Sequence, residues 1–348
     1  MKRKFLILGL VVAAVAFLFR HESLSWRGLQ WNVLWSEISE VRLTMLGAGF
    51  ALFYATFPVR SWRWKVLMRP VGETNVRRVL GPTFIGFTAM TLLGKAGEFI
   101  RPYLLARKED VPVSSQLAVW VLERVYDLAG FTLLLLMSLL FSDPDALPEL
   151  AKFRHAAFLV VVAVAASVLF VVVIHRWIGT LEARLHVWLK TISPGVAKNL
   201  AFRLSRFAAG LKMVKEPELL FKAGAATVLM WLMIAASYAA IVRAFPEPLA
   251  SMPLVSMPLL MGVSILGSLL QLPAGTTSQL AIIAALLNLF HIPGKLAVSC
   301  GIMLWLGEYM APIPVGLVCL HREHLSLRTL AQIEGRDAQP EEVLTGTD

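Results

Sequence analysis

Apolar residues along this chain arrive in long blocks separated by short polar connections. Residues 5–19, 43–57, 117–141, 156–174, 223–242, 252–270 and 296–320 carry few charges. A helix that crosses a bilayer needs roughly 20 apolar residues, and shorter runs mark re-entrant or interfacial pieces. Two of the runs are interrupted. The one at 80–93 stops at Gly94-Lys95-Ala96-Gly97-Glu98. The one at 252–270 is parted from 279–290 by Gln271-Leu272-Pro273-Ala274-Gly275-Thr276-Thr277-Ser278-Gln279. Glycine and proline turn a chain more readily than they continue a helix. Each interrupted pair is therefore expected to dip into the membrane and return to the same side, with Gly94, Gly97, Pro273 and Gly275 as its hinges.

Loop charge orients the pattern, because lysine and arginine in short loops mark the cytoplasmic side. Lys2, Arg3 and Lys4 precede the first block, which is read as a retained anchor despite a weak Ala14-x-Ala16 cleavage pattern. After the second block comes a basic run read as a cytoplasmic loop: Arg60, Arg63, Lys65, Arg69, Arg77 and Arg78. The segment 175–222 is the most basic and is expected to form amphipathic helices on the cytoplasmic surface. The acidic tail 331–348 is expected to be disordered. The expected architecture is all-α: about six full transmembrane helices and two oppositely oriented re-entrant hairpins, in one membrane domain over 1–330. Its two parts, 43–141 and 223–320, repeat helix, broken dip, helix in inverted sense. Transporters built from inverted repeats with broken helices hold substrate near the bilayer midplane.

Composition agrees. Hydrophobic residues make up 57% of the chain and charged residues 16%, against about 25% charge in an ordinary soluble domain. A soluble enzyme is excluded on that ground. The net charge of +10 would suggest nucleic acid in a soluble protein. Here the basic residues flank apolar blocks, where they set topology and meet anionic lipid, and no basic patch is interleaved with aromatics. Cys300 and Cys319 both fall in the last block, so neither a disulfide framework nor a zinc pattern arises. The histidines are scattered, and no metal or cofactor is expected.

Charged residues inside apolar helices are costly and mark function by default. Glu98 and Arg101 lie three apart after the first break and are expected to pair. Glu123 and Asp127 share a helix face, with Arg124 in reach of Asp127. Mutual neutralisation of these five residues is the plain alternative. Arginine forks suit phosphate, the carboxylates would orient them or bind an amine, and Lys95 is a further phosphate candidate. At the second break Gln271, Thr276, Thr277 and Ser278 offer polar groups, with a half-helix expected after Thr277 or Ser278 and Ser278 as its cap. Glu308 sits alone in the last block, where protonation or a basic partner from the first half would relieve it. Pro312 and Pro314 follow it and would kink the helix.

The run Leu92 to Arg107, with Gly94, Gly97, Glu98, Arg101, Tyr103, Leu105 and Arg107 at set spacing, is followed by Glu123-Arg124-x-x-Asp127. Together these resemble the lysylphosphatidylglycerol synthase transmembrane region, a flippase-like family, over roughly residues 5–320. Leu280 stands where many members carry a glutamate after the second break. The resemblance implies a lipid-translocating membrane part in a bacterial cytoplasmic (inner) membrane; the aminoacyl-transfer domain that follows this region in the synthases is not expected here, and Lys2–Lys4 at one end and Arg322 with Arg328 at the other place both termini in the cytoplasm. The expected function is movement of an anionic or amino-modified phospholipid, or of a polyprenyl-linked lipid. Membrane lipids are the expected partners, and nucleic acid is not one; homo-oligomer formation is left open. A membrane-embedded transferase acting on a lipid-linked substrate and a non-catalytic envelope scaffold are the alternatives.

Overall fold

The computed structural model describes residues 40–141, 216–269 and 273–323, with Val162 and Ala166 as isolated positions. The expected anchor at 5–19, the span at 156–174, most of the basic segment 175–222 and the acidic tail lie outside the described residues. The chain divides into two units, Met1–Leu43 and Thr44–Asp348, and the second holds nearly all of the described residues.

These residues are helical. Helix α1 (Leu43–Met68) is followed by α2 (Val76–Leu93), whose first turn is capped by the Asn75 side chain accepting from the Arg77 amide at 3.2 Å. A 3₁₀ turn over Gly94–Phe99 leads into the short α3 (Ile100–Lys108), and α4 runs over Val113–Leu140. Helix α5 (Pro217–Val242) opens with proline in its first turn, where the missing amide hydrogen costs nothing. The pair α6 (Met257–Ser268) and α7 (Thr276–Asn288) flanks a turn at Pro273–Gly275. The last helix, α8, spans Gly294–Arg322 and contains a π turn at Leu306–Met310.

Among the described residues α1, α5 and α8 are long and apolar enough to cross a membrane. Helix α4 has 28 residues but carries Glu123, Arg124 and Asp127. Leu133, Met137, Leu140, Phe221, Leu229, Leu232, Leu266 and Val318 point outward. Apolar surface on that scale suits lipid, not water. The protein is thus a multi-pass all-α membrane protein. Helix crossings are close because glycine sits at them. Gly49 meets Ser237 and Ile241, Gly130 meets Thr227 and Trp231, and Gly301 meets Ile283.

Both expected breaks are turns of helical hairpins. In α2–α3, Gly94 takes φ 74° and its amide returns to the Met90 carbonyl, while Gly97 presses on the backbone of Ala89 and Met90. In α6–α7, Gly267 packs on Ser278, and Ala274 and Gly275 both have positive φ. The two hairpins flank opposite halves of α8. Ile283 and Leu287 of α7 lie against Gly301 and Gly294, in the first half. Helix α2 lies against the second half: Thr88 meets Gly316, and Ile85, Ile100 and Leu104 cluster with Leu320. Lys108 pairs with Glu323 at the end.

The hairpin tips meet at the π turn. Thr91 donates to the Tyr309 carbonyl at 3.4 Å and Thr88 to the Pro312 carbonyl at 3.3 Å. Tyr54 of α1 donates to the Ala311 carbonyl. From the other hairpin, the Ala274 carbonyl accepts from Trp305 Nε1 at 2.7 Å, and Gly275 packs on the Tyr309 ring. A π turn followed by prolines loosens the backbone ladder and frees carbonyls for such contacts.

Three expectations are corrected. Arg60 and Arg63 are not in a loop, because α1 continues to Met68 with Trp64, Leu67 and Met68 buried. Residues 217–222 belong to α5 and not to a surface amphipathic helix. Helix α7 begins at Thr276 on a left-handed Gly275, so Thr276, Thr277 and Ser278 lie inside the helix, and Ser278 does not cap it.

Candidate functional site

Two polar clusters sit inside the helix bundle. The first is built where α1, α3, α4 and α5 converge. Glu123 on α4 is its hub. Its Oε1 accepts from Arg63 Nη2 at 2.8 Å and from Arg101 Nη2 at 2.6 Å, and its Oε2 accepts from Arg124 Nη2 at 3.2 Å. Arg63 reaches further, donating to Asp127 at 2.5 Å and to the Thr227 hydroxyl at 3.0 Å. Arg124 also pairs with Asp127 at 3.2 Å, one helical turn on.

Trp64 makes a platform for this cluster. Its ring lies 3.8 Å from the guanidinium carbon of Arg101, and its Nε1 donates to Gln116 at 3.0 Å. Cation–π contact keeps a desolvated guanidinium in place without using its donors. Arg101 therefore retains a buried Nε with no partner, as do Arg63 and Arg124, and the Gln116 amide nitrogen is likewise unpartnered. Three guanidiniums face two carboxylates, an excess of one positive charge. Exposure is graded: the Arg124 side chain is 41% exposed, Arg101 6% and Arg63 0%.

The second cluster lies at the hairpin junction. Glu308, in the π turn of α8, accepts through Oε2 from the Tyr238 hydroxyl at 2.5 Å and from Ser264 at 2.9 Å. Ser278 donates to the Ser264 carbonyl at 2.8 Å, and its hydroxyl lies 2.8 Å from that of Tyr309. Thr277 keeps a buried hydroxyl oxygen without a partner. A network on α5, α6, α7 and α8 thus surrounds one carboxylate. Between the clusters stands Arg60 of α1, 8% exposed, with its guanidinium 4.7 Å from the Phe87 ring centroid.

The structure brings Arg101, Glu123, Arg124 and Asp127 together as the sequence suggests. Arg101, however, pairs with Glu123 of α4 and not with Glu98, which ends up in the 3₁₀ turn over 94–99. Glu98 makes no hydrogen bond or ion pair among the described residues, although its charge acts on Arg124. Ser278 and Glu308 join the second cluster. The side chain of Lys95 and the whole of Gln271 fall outside the described residues. Sequence reasoning missed Arg63, Arg60, Trp64, Gln116, Thr227, Tyr238, Ser264 and Tyr309. For α1 a signal existed: the buried positions Phe53, Phe57, Arg60, Trp64 and Leu67 recur every three or four residues through the basic run.

Residues 6–316 match the family model of the lysylphosphatidylglycerol synthase TM region. No match is found among curated proteins or among solved structures.

Proposed function

The chain belongs to the family of lysylphosphatidylglycerol synthase TM regions, membrane proteins connected with lipid, and from that premise we propose that it moves a phosphate-bearing lipid headgroup across the cytoplasmic membrane without acting as an enzyme. The observation that carries this reading is the graded arginine cluster with its unspent donors. A headgroup in bare hydrocarbon loses its water at a cost of many kcal/mol. Fixed guanidiniums replace that water where they still have hydrogens to give, and Arg63, Arg101 and Arg124 each keep a buried Nε free of partners.

In this reading Arg124 meets the phosphate first and Arg101, held on Trp64, receives it next. Glu123 and Asp127 orient the two. Thr276, Thr277 and Ser278 belong to the access route on the other side of the hairpin junction. If α8 crosses the bilayer, hairpins flanking its opposite halves enter from opposite faces, as alternating access in an inverted repeat requires. Lys65, Arg69, Arg77, Arg78, Arg107, Lys108, Lys222 and Arg322 lie towards one end of the bundle, and Arg243 and Lys295 towards the other. The first end is assigned to the cytoplasm.

Proteoliposomes carrying a tail-labelled phospholipid test the reading. The wild-type protein is expected to exchange lipid between leaflets faster than protein-free vesicles do. The double variant Arg101→Ala, Arg124→Ala is expected to fall to the protein-free rate. An unchanged rate in a variant that still elutes as a single species removes the arginine role.

A further inference from the structure

Glu308 is a carboxylate without a paired cation among the described residues. It stands in the π turn of α8, a turn that recurs at functional sites, and the tips of both hairpins meet beside it at Tyr309. Its Oε2 accepts from the hydroxyls of Tyr238 and Ser264, and its Oε1 takes no hydrogen bond among the described residues. Helices α6 and α7 bring Ser264 and Ser278 to this place, and neither helix contains a charged residue. Helix α2 brings Thr91. The titratable groups around Glu308 are Tyr238 on α5, Tyr309 on α8, and Tyr54 and Arg60 on α1. Arg60, whose charge reaches Glu308, forms no salt bridge with it and also feels Asp127 and Glu123 of the first cluster.

A carboxylate inside an apolar bundle is costly unless a cation compensates it. The spacing of the oxygens decides which cation fits. In a six-oxygen shell around an ion of sodium or calcium size, bonds of about 2.4 Å set neighbouring oxygens roughly 3.4 Å apart. Here Tyr238 stands 2.5 Å and Ser264 2.9 Å from Glu308, and Ser278 stands 2.8 Å from both the Ser264 carbonyl and the Tyr309 hydroxyl. These are hydrogen-bond distances, with hydrogens between the oxygens and no room for an ion among them. The cation that fits is a proton on Oε1. Glu308 is half-buried and not sealed off, so water can deliver it.

We propose that Glu308 is the proton-binding site of a lipid–proton symport, loaded from water on one side of the membrane and emptied to water on the other as a phosphate headgroup passes the hairpin junction. The inference rests on the lipid-translocation reading and adds its coupling ion. On loading, an O–H bond forms on Oε1 as one in a hydronium ion breaks; on emptying, the proton returns to water. Charge dictates that the two travel together. An ionised Glu308 repels a phosphate where water is scarce, whereas the neutral acid does not and offers it an O–H donor. Headgroup and proton therefore each raise the affinity for the other, by the same factor.

The test uses the full chain in proteoliposomes with a tail-labelled phospholipid of glycerol headgroup, the membrane potential clamped at zero and protein-free vesicles as the baseline. Under an imposed pH difference, wild-type protein is expected to collect label in the leaflet facing the alkaline side, whichever way it is inserted. The enrichment should reach up to about tenfold for about one pH unit, the limit for one proton per lipid. Without a gradient, wild-type exchange should slow as the pH rises, and the residual exchange of Glu308→Gln should not vary with pH. That ratio of rates is insensitive to a partial loss of folded protein, which lowers all rates together. Wild-type exchange that leaves the label evenly divided under the gradient overturns the symport and keeps the translocation reading. So does a sodium gradient at constant pH that concentrates the label, and so does an undiminished pH dependence in Glu308→Gln. A wild-type protein that exchanges no label under any condition overturns both.

Discussion

Arg63 and Glu123, sixty residues apart in the chain, meet at 2.8 Å with neither side chain exposed. Removing one partner of a buried pair leaves the other charged and unpaired, which costs about 3–5 kcal/mol. Arg63→Met is therefore expected to lower stability by an amount of that order, read by unfolding in detergent. Arg63→Lys should recover only a small part. A single ammonium cannot reproduce the fork that reaches Glu123, Asp127 and Thr227 at once. Full recovery with lysine would show that charge alone, not geometry, matters at this position.

Glycine substitutions separate the hairpin turn from ordinary helix. A side chain on Gly97 would run into the backbone of Ala89 and Met90, whereas one on Gly47 in α1 would meet nothing within 4 Å. Gly97→Ala must push α2 away from the 3₁₀ turn, and overpacking of that kind costs about 1–3 kcal/mol. Gly47→Ala is expected to leave thermal stability unchanged or slightly raised, since alanine favours helix. Equal melting temperatures for the two variants would contradict the close approach at Gly97.

Much of this was legible along the chain. The interruptions at Gly94 and Pro273 announced the two hairpins, because glycine and proline disrupt a helix whatever surrounds them. Glu123, Arg124 and Asp127 stood out because they lie within one apolar helix. What stayed hidden was three-dimensional. Arg101 has a carboxylate three residues away in Glu98 and pairs instead with Glu123 from another helix. Arg60 and Arg63 have the composition of a cytoplasmic loop, and only the spacing of Phe57, Trp64 and Leu67 shows that the helix continues through them. Tyr238 and Ser264 resemble any other polar residue of a membrane helix until Glu308 is placed between them.

The two hydroxyls on Glu308 converge on the same oxygen, Tyr238 at 2.5 Å and Ser264 at 2.9 Å. Leaving one partner of a buried hydrogen bond unsatisfied costs about 1–3 kcal/mol. Tyr238→Phe and Ser264→Ala are each expected to lower stability by about that much. Since they share an acceptor, the double variant should depart from the sum of the singles by at least about 0.5 kcal/mol. Strict additivity in a double-mutant cycle would mean that the two do not act on one carboxylate.

Sidedness gives the most direct check on how the hairpins are arranged. Arg107 and Glu323 lie at the end of the bundle where Lys108 meets Glu323, and Glu247 and Pro293 lie beyond α5 and before α8, at the other end. All four positions are exposed. The native Cys300 is fully buried and Cys319 partly so, which leaves one background thiol to replace with serine. In that background a membrane-impermeant maleimide applied to intact cells should label Glu247→Cys and Pro293→Cys. It should reach Arg107→Cys only after the membrane is opened. Positions 247 and 293 bracket the α6–α7 hairpin, so a hairpin that enters and leaves on one face puts both on the same side of the membrane. Labelling of 247 from outside and of 293 only from the cytoplasm would mean that α6–α7 crosses the bilayer. The tips at Tyr309 could not then be reached from opposite faces, and the inverted arrangement would fail even with every contact inside the bundle intact.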